Sequence, residues 1–275
     1  MHFDIRSRAR PVLKWAGGKS ALLEQLLPLF PVQFDRYIEP FLGGAAVFLS
    51  LKPSLPAVVN ELNPELFNLY CVIRDQPLEL SQLLRQRAQQ YSKDFYYQLR
   101  SETPADPIER AARTVFLNKT GFNGLYRQNQ RGLFNVPFGH RKKCPSLCTL
   151  ENLHRVGERF SVAQLLNSDF ESVLAQAGKG DFVYCDPPYE PLSATSSFNS
   201  YTGRGFGRAE QQRLLNACIS AVERGASVAV SNSTAPFVIE LYSEWDIRKI
   251  KARRAINSAA QKRGAIEEVL VLMNV

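Results

Sequence analysis

The chain has 275 residues, 45% of them hydrophobic, and carries a formal charge of +8. That is enough apolar material for one large core or two smaller ones, and it excludes a disordered chain. No apolar run reaches the roughly 18 residues of a membrane span, the basic start MHFDIRSRARPVLKW lacks the apolar core of a signal peptide, and five scattered cysteines suit reduced thiols.

In chain order, Gly18-Lys19-Ser20 has the ending of a phosphate-binding P-loop, but Leu13 stands where that motif needs its first glycine. Residues 20–27 carry Leu22, Leu23, Leu26 and Leu27 on one helical face. Residues 37–40 read as a strand running into a glycine turn, Phe41-Leu42-Gly43-Gly44. A second strand at 57–59 is followed by Glu61 and by a helix opening at Pro64. Further strands are expected at 161–166, 181–185, 227–230, 245–250 and 269–273. A helix over 210–224 buries Leu214, Leu215, Cys218, Ile219 and Val222 and stops at Gly225. Alternating strands and helices predict an α/β fold, with a largely parallel sheet covered on both faces. The alternation breaks between 64 and 154, where helices give way to a loop of interleaved aromatic and basic residues, as if a separate lobe were inserted.

Positive charge is clustered. Residues 110–150 hold Arg110, Arg113, Lys119, Arg127, Arg131, Arg141, Lys142 and Lys143 with no acid. Another acid-free run holds Arg248, Lys249, Lys251, Arg253, Arg254, Lys262 and Arg263, and the N-terminus adds Arg6, Arg8, Arg10, Lys14 and Lys19. Three such clusters point to nucleic acid, because neutralising phosphates needs grouped cations.

The stretch DFVYCDPPY, 181–189, is an apolar strand that stops at a carboxylate, two prolines and a ring. Ligand sites of open α/β sheets lie beyond the carboxyl ends of the strands, so Asp186 can face a crevice. Pro187 and Pro188 stiffen the chain and leave their carbonyls to accept, and Tyr189 offers a face for a planar base. Acceptors beside a ring suit an exocyclic amino group. Glu61, at the end of the second strand, is placed to accept from ribose hydroxyls, or else is a surface or capping carboxylate. The glycine turn either lets backbone approach a ligand or is a plain turn. His140, Cys144 and Cys148 offer zinc three ligands without a fourth, so no metal is expected.

Taken together, LKWAGGK (13–19), YIEPFLGGAAVF (37–48), NELNPEL (60–66), NKTGFNGLYRQNQRGLFNVPFG (118–139), SDF (168–170), VYCDPPYEPLSAT (183–195) and VSNS (230–233) resemble the Dam-type DNA adenine-N6 methyltransferases. The likeness extends over nearly the whole chain, in the order of the α-group: cofactor loop, recognition lobe, DPPY. It implies a Rossmann-like methyltransferase sheet with helices on both faces and an inserted, mainly helical target-recognition lobe containing a β-hairpin loop. The implied catalytic domain is 1–63 with 155–275, and the implied DNA target-recognition domain is 64–154.

The same resemblance implies S-adenosylmethionine as cofactor, held by Trp15, Lys19, Phe41, Gly43, Gly44, Glu61, Asp169, Phe170 and Asp186. Asp186, Pro187, Pro188 and Tyr189 would hold a target adenine flipped out of duplex DNA, and transfer would be direct. Phe122 is implied to wedge into the duplex, unless it is a core residue of the lobe, with Asn123 beside it. Arg127 would read guanine and Lys14 another base, while Leu125 and Pro137 would meet a thymine methyl or frame the turn. Arg131, Arg141, Lys142 and Lys143 would touch phosphates. The implied site is GATC, in a cytoplasmic, nucleoid-associated enzyme with double-stranded DNA as partner, no membrane and no obligate protein partner. Glu61 stands where many relatives have Asp and Phe122 where Tyr is usual, and Tyr126 and Gln128 also depart from the pattern. Cytosine-N4 transfer, RNA methylation and an inactive DNA-binding relative are the alternatives.

Overall fold

A computed structural model of the chain describes residues 9–52, 54–129, 131–191, 206–253 and 265–275. Arg6, Arg8, Arg254, Lys262, Arg263 and the last part of VYCDPPYEPLSAT, 192–195, lie outside the described residues. The strands are β1 (Arg36–Glu39), β2 (Ala57–Asn60), β3 (Ala163–Leu166), β4 (Asp181–Cys185), β5 (Ser227–Ser233), β6 (Asp246–Arg253) and β7 (Ala265–Met273). The α-helices are α1 (Leu23–Leu26), α2 (Pro64–Asp75), α3 (Pro77–Gln89), α4 (Lys93–Ser101), α5 (Pro107–Thr120), α6 (Leu150–Ser161), α7 (Phe170–Leu174), α8 (Arg208–Glu223) and α9 (Pro236–Leu241).

The strands form one mixed seven-stranded sheet in the order β3-β2-β1-β4-β5-β7-β6, with helices on both sides. This is the expected α/β fold with a Rossmann-like strand order. The pairs β1–β2, β1–β4 and β4–β5 are parallel, whereas β5–β7 and β6–β7 are antiparallel. The expectation of a largely parallel sheet therefore holds only up to β5. Strand β7, with Val269, Leu270, Val271 and Met273 buried, is inserted between β5 and β6. That leaves β6 on the edge, where Arg248, Lys249 and Lys251 are exposed. Charges on an edge strand block pairing with foreign strands. Part of the second basic run is thus spent on the edge, with Arg248 paired to Asp246 and Lys249 to Glu267.

The chain divides into two compact units, one of Met1–Gly18, Gly43–Ser54 and Glu61–Asn167, the other of Lys19–Leu42, Leu55–Asn60 and Ser168–Val275. In the second unit, Phe30, Phe34, Tyr37, Phe182 and Tyr184 pack ring against ring. Arg36 on β1 makes two hydrogen bonds of 2.9 and 2.7 Å to Asp181 at the start of β4. The helix expected over 20–27 is broken into a 3-10 turn, the short α1 and a second 3-10 turn, Leu27–Leu29. Pro28, which lacks an N–H and restricts the residue before it, accounts for the second break.

In the first unit, α2, α3 and α5 open on prolines, and the side chains of Asn63 and Asp106 cap α2 and α5. Their apolar faces bury Leu66, Leu69, Leu80, Leu84, Val115 and Phe116. A Cβ on Gly157 of α6 would lie 2.7 Å from the Ile73 carbonyl of α2, so this crossing needs glycine. Helix α6 keeps Ser161, which the sequence suggested as the first residue of β3.

Candidate active site

In the second unit, β4 ends at Cys185 and delivers Asp186 just beyond the sheet. The Lys19 ammonium, on a side chain only 3% exposed, lies 2.8 Å from Asp186 Oδ1 and 3.8 Å from Glu268 Oε2. It also sits 4.9 Å from the centre of the Tyr189 ring. The Tyr189 hydroxyl donates to Glu268 Oε2 at 2.9 Å, so the ring is half-buried and anchored by its hydroxyl rather than free. Burial pushes the Asp186 and Glu268 carboxyls above their ordinary range, and the Lys19 charge opposes that rise in both.

The prolines of this turn are not equivalent. Gln211 of α8, fully buried, donates from Nε2 to the Pro188 carbonyl at 3.0 Å. Its own carbonyl accepts from Asn232 Nδ2 at 3.0 Å, and Asn232 Oδ1 accepts from the Glu190 N–H at 3.3 Å. The backbone on both sides of Tyr189 is therefore fixed by buried amides. No donor among the described residues reaches the Pro187 carbonyl. Pro187 O and the Asp186 carboxylate, whose Oδ1 is held by Lys19, are acceptors beside the ring, an arrangement able to receive the two hydrogens of an amino group.

Elsewhere in this unit, Phe41 and Phe170 approach to 5.4 Å between ring centres, and Phe206 completes the group at 5.7 Å from Phe41 and 5.8 Å from Phe170. Asp169 caps α7 by accepting from the Glu171 N–H. It is also paired with Arg213, whose guanidinium lies 4.3 Å from the Phe170 ring centre. Phe206 and Arg213 were not singled out from the sequence, where nothing distinguishes them from an ordinary aromatic and a solvated helix charge.

In the first unit, Trp15 occupies the ground beside the glycine turn. A Cβ on Gly43, whose φ is +48°, would lie 2.8 Å from Trp15 Nε1, and one on Gly44 would lie 2.9 Å from Trp15 Cβ. The missing side chains thus make room for an indole of the same chain. Glu61 accepts from the Gly43 and Asn63 N–H groups at 2.8 Å each, one to each carboxylate oxygen. It is a buried acceptor rather than a surface carboxylate, and burial raises its pKa to about 7 against the two N–H groups, which oppose the shift.

A raised acid pKa has a defined sign in stability. Folded protein holds this proton more tightly than unfolded chain does, so the contribution of Glu61 is greatest below its ordinary value of 4.5 and is lost as pH rises to about 7. Glu61→Gln removes the titration. The stability of the variant relative to the parent is expected to rise by about 2–3 kcal/mol between pH 4.5 and pH 8. Denaturant unfolding at both pH values checks this, and a constant difference would contradict it.

The same unit brings Lys14 to the 121–138 loop. Asn118 accepts from the Lys14 N–H at 2.8 Å and donates to the carbonyls of Lys14 and Gly124. The stem of Lys14 fills the space where a Cβ of Gly124, at φ +67°, would stand. Phe122 is 45% exposed, which rules out the core reading, and its N–H donates to the Pro137 carbonyl at 2.8 Å. Asn123 has φ +54° and is exposed, Leu125 is half-buried, and Pro137 is exposed.

Bridges between Gly121 and Phe138 and between Gln128 and Phe134 give the loop a hairpin course. Arg127 is exposed and donates through Nε to Asn135 Oδ1 at 2.8 Å, which fixes the plane of its guanidinium. Tyr126 is buried against Trp15 and Phe134, so it is a core residue of the hairpin. Arg131, Arg141, Lys142 and Lys143 are exposed. Two other cations of the basic run are structural. Arg110 pairs with Glu65, and buried Arg113 caps α4 through the carbonyls of Leu99 and Arg100.

A model of the D12 class N6 adenine-specific DNA methyltransferases matches residues 15–256. The chain belongs to this family.

Its relatives include the type II methyltransferase M1.LlaDCHI of Lactococcus lactis subsp. cremoris, 40% identical over 95% of this chain and 94% of the relative. The type II methyltransferase M.MjaIII of Methanocaldococcus jannaschii is 37% identical over 96% of this chain and 98% of its own length. The DNA adenine methylase of Escherichia coli K12 is 35% identical over 96% and 95%. As a D12-class enzyme the chain is an adenine-specific DNA methyltransferase. The resemblance drawn from the motifs is thereby established. Among the described residues no helix is long and apolar enough to cross a membrane.

Proposed function

We propose that this D12-class enzyme methylates adenine N6 within GATC in duplex DNA, with S-adenosylmethionine as donor, on a base rotated out of the helix. The observation that carries the reading is the end of β4. There Asp186 and Pro187 O are acceptors beside an anchored tyrosine ring, while Pro188 O is already taken by Gln211. A base amino group is buried in the stack of a duplex, so reaching these acceptors requires extrusion. Asp186 and Pro187 O then accept its two hydrogens, which aims the nitrogen lone pair away from them. S-adenosylmethionine supplies an electrophilic methyl on sulfonium. The N–C bond forms as the C–S bond breaks, and the proton shed by the nitrogen leaves through Asp186 or water.

The side chains suit this donor. Each Glu61 oxygen accepts one backbone N–H and keeps a lone pair for a ribose hydroxyl. The rings of Phe41, Phe170 and Phe206 suit an adenine. In this reading Trp15, Gly43 and Gly44 support the cofactor site by shape. We assign 64–154 to target recognition and 1–63 with 155–275 to catalysis. Phe122 is the wedge, Asn123, Leu125 and Pro137 frame it, and Lys14 and Arg127 read bases. Arg131, Arg141, Lys142 and Lys143 contact phosphates.

Transfer of a labelled methyl group to a duplex holding one GATC, beside a duplex with those four bases scrambled, tests the reading. Label in N6-methyldeoxyadenosine from the first duplex alone is expected. Label in both would remove GATC, and label in a cytosine nucleoside would remove the adenine assignment. Arg127→Ala is expected to weaken discrimination at one base pair by roughly 1–3 kcal/mol, since a bidentate contact to guanine would be lost. An equal loss of affinity for every sequence would make Arg127 a phosphate contact.

A further inference from the structure

Lys19 is a buried cation with two carboxylates in range, and only one of them belongs to the proposed reaction. Asp186 Oδ1 is at 2.8 Å and Glu268 Oε2 at 3.8 Å. The same Glu268 oxygen accepts the Tyr189 hydroxyl. Glu268 reaches this place from β7, the strand that the antiparallel ladder sets beside β5, with Glu268 opposite Ser233. The sequence offered no motif around it.

A charge this deeply buried is costly when its partner is withdrawn. Asp186 has conflicting duties. Bound to Lys19 it is a weak acceptor, because the ammonium draws on its electron density, yet an amino nitrogen that becomes cationic during attack needs a strong one. An ammonium shift on the order of 1 Å would exchange the closer partner, since the two present separations differ by that much.

We propose that Glu268 is a positioning residue that receives Lys19 when Asp186 engages the target amino group, while holding the Tyr189 ring through its hydroxyl. The proposal rests on the reading of Asp186 given above. Glu268 touches neither the base nor the donor in this scheme. It acts through Lys19, keeping the buried ammonium neutralised so that the full carboxylate charge of Asp186 is available to the substrate.

Glu268→Gln keeps the size of the side chain and an acceptor for Tyr189, and removes only the charge. In single-turnover transfer on a duplex with one target site, its rate is expected to fall about 30- to 100-fold. Affinity for S-adenosylmethionine and for DNA should stay within about threefold. Glu268→Asp restores the charge and should recover most of the rate, which guards against a mere folding defect. Tyr189→Phe, which removes the hydroxyl alone, should lose less than Glu268→Gln.

The deciding comparison is the double variant. If Glu268 serves Lys19, Glu268→Gln costs as much in the Tyr189→Phe background as in the parent. If it merely anchors the tyrosine, its effect disappears in that background and the proposal is overturned. A parent-like rate for Glu268→Gln overturns it as well. Failure of the underlying reading is seen separately, as substantial transfer by Asp186→Ala, a variant that leaves Glu268 intact.

Discussion

Asp186→Ala is expected to lower methyl transfer by about three orders of magnitude, near 4 kcal/mol of transition-state stabilisation, while binding to duplex DNA stays within a few-fold. In the proposed mechanism the carboxylate is the charged acceptor at the end of β4, and the Pro187 carbonyl beside it cannot take up a proton. The variant also strips Lys19 of its nearer counter-ion, 2.8 Å away. Stability should therefore fall by about 1–3 kcal/mol, less than for a fully isolated buried charge because Glu268 is 3.8 Å away and Asp186 is 21% exposed. Single-turnover kinetics beside a DNA-binding titration separate the two losses. A variant folded at the assay temperature that keeps a tenth of the parental rate would remove Asp186 from the chemistry.

Lys19→Met should lower transfer at pH 7 by about 100-fold and should partly recover in alkali. Burial already pushes Asp186 and Glu268 upward, and Lys19 opposes it in both ahead of the Tyr189 hydroxyl. Without the ammonium, two carboxylates share the site, and both their burial and their mutual repulsion favour the protonated forms. In the proposed mechanism only the ionised Asp186 can serve, so the acidic limb of the rate profile should move to higher pH. The stability of the variant should fall as pH rises, because a raised carboxyl pKa favours the folded state only while the proton is held. Rates from pH 6 to 9.5 provide the check. A uniformly reduced profile of unchanged shape would mean that Lys19 acts by something other than charge.

Much of this enzyme was legible along the chain because the signals are local. An apolar run ending in DPPY predicts a buried strand with a carboxylate at its tip, and β4 spans those residues, Asp181–Cys185. A glycine after a helical period predicts a stop, and Gly225 follows α8 with φ +94°. Composition pointed to nucleic acid, but it overcounted. Arg110, Arg113, Arg248 and Lys249 read as part of a phosphate footprint, yet they cap, pair or guard an edge. Charge is visible in a sequence, whereas the partner that consumes it can lie dozens of residues away.

The sequence by itself determined the family, the strand–helix alternation and the carboxylate, Asp186, at the tip of β4. Each is a property of consecutive residues, where a side-chain period or a fixed motif carries the physics. Only the tertiary structure showed that the Pro188 carbonyl is already engaged, because Gln211 and Asn232 arrive from α8 and β5. Only it placed β7 between β5 and β6, and so put Glu268 within reach of Lys19 and Tyr189. Those contacts join residues far apart in the chain, and they exist because buried polar groups must find partners wherever the packed fold presents them.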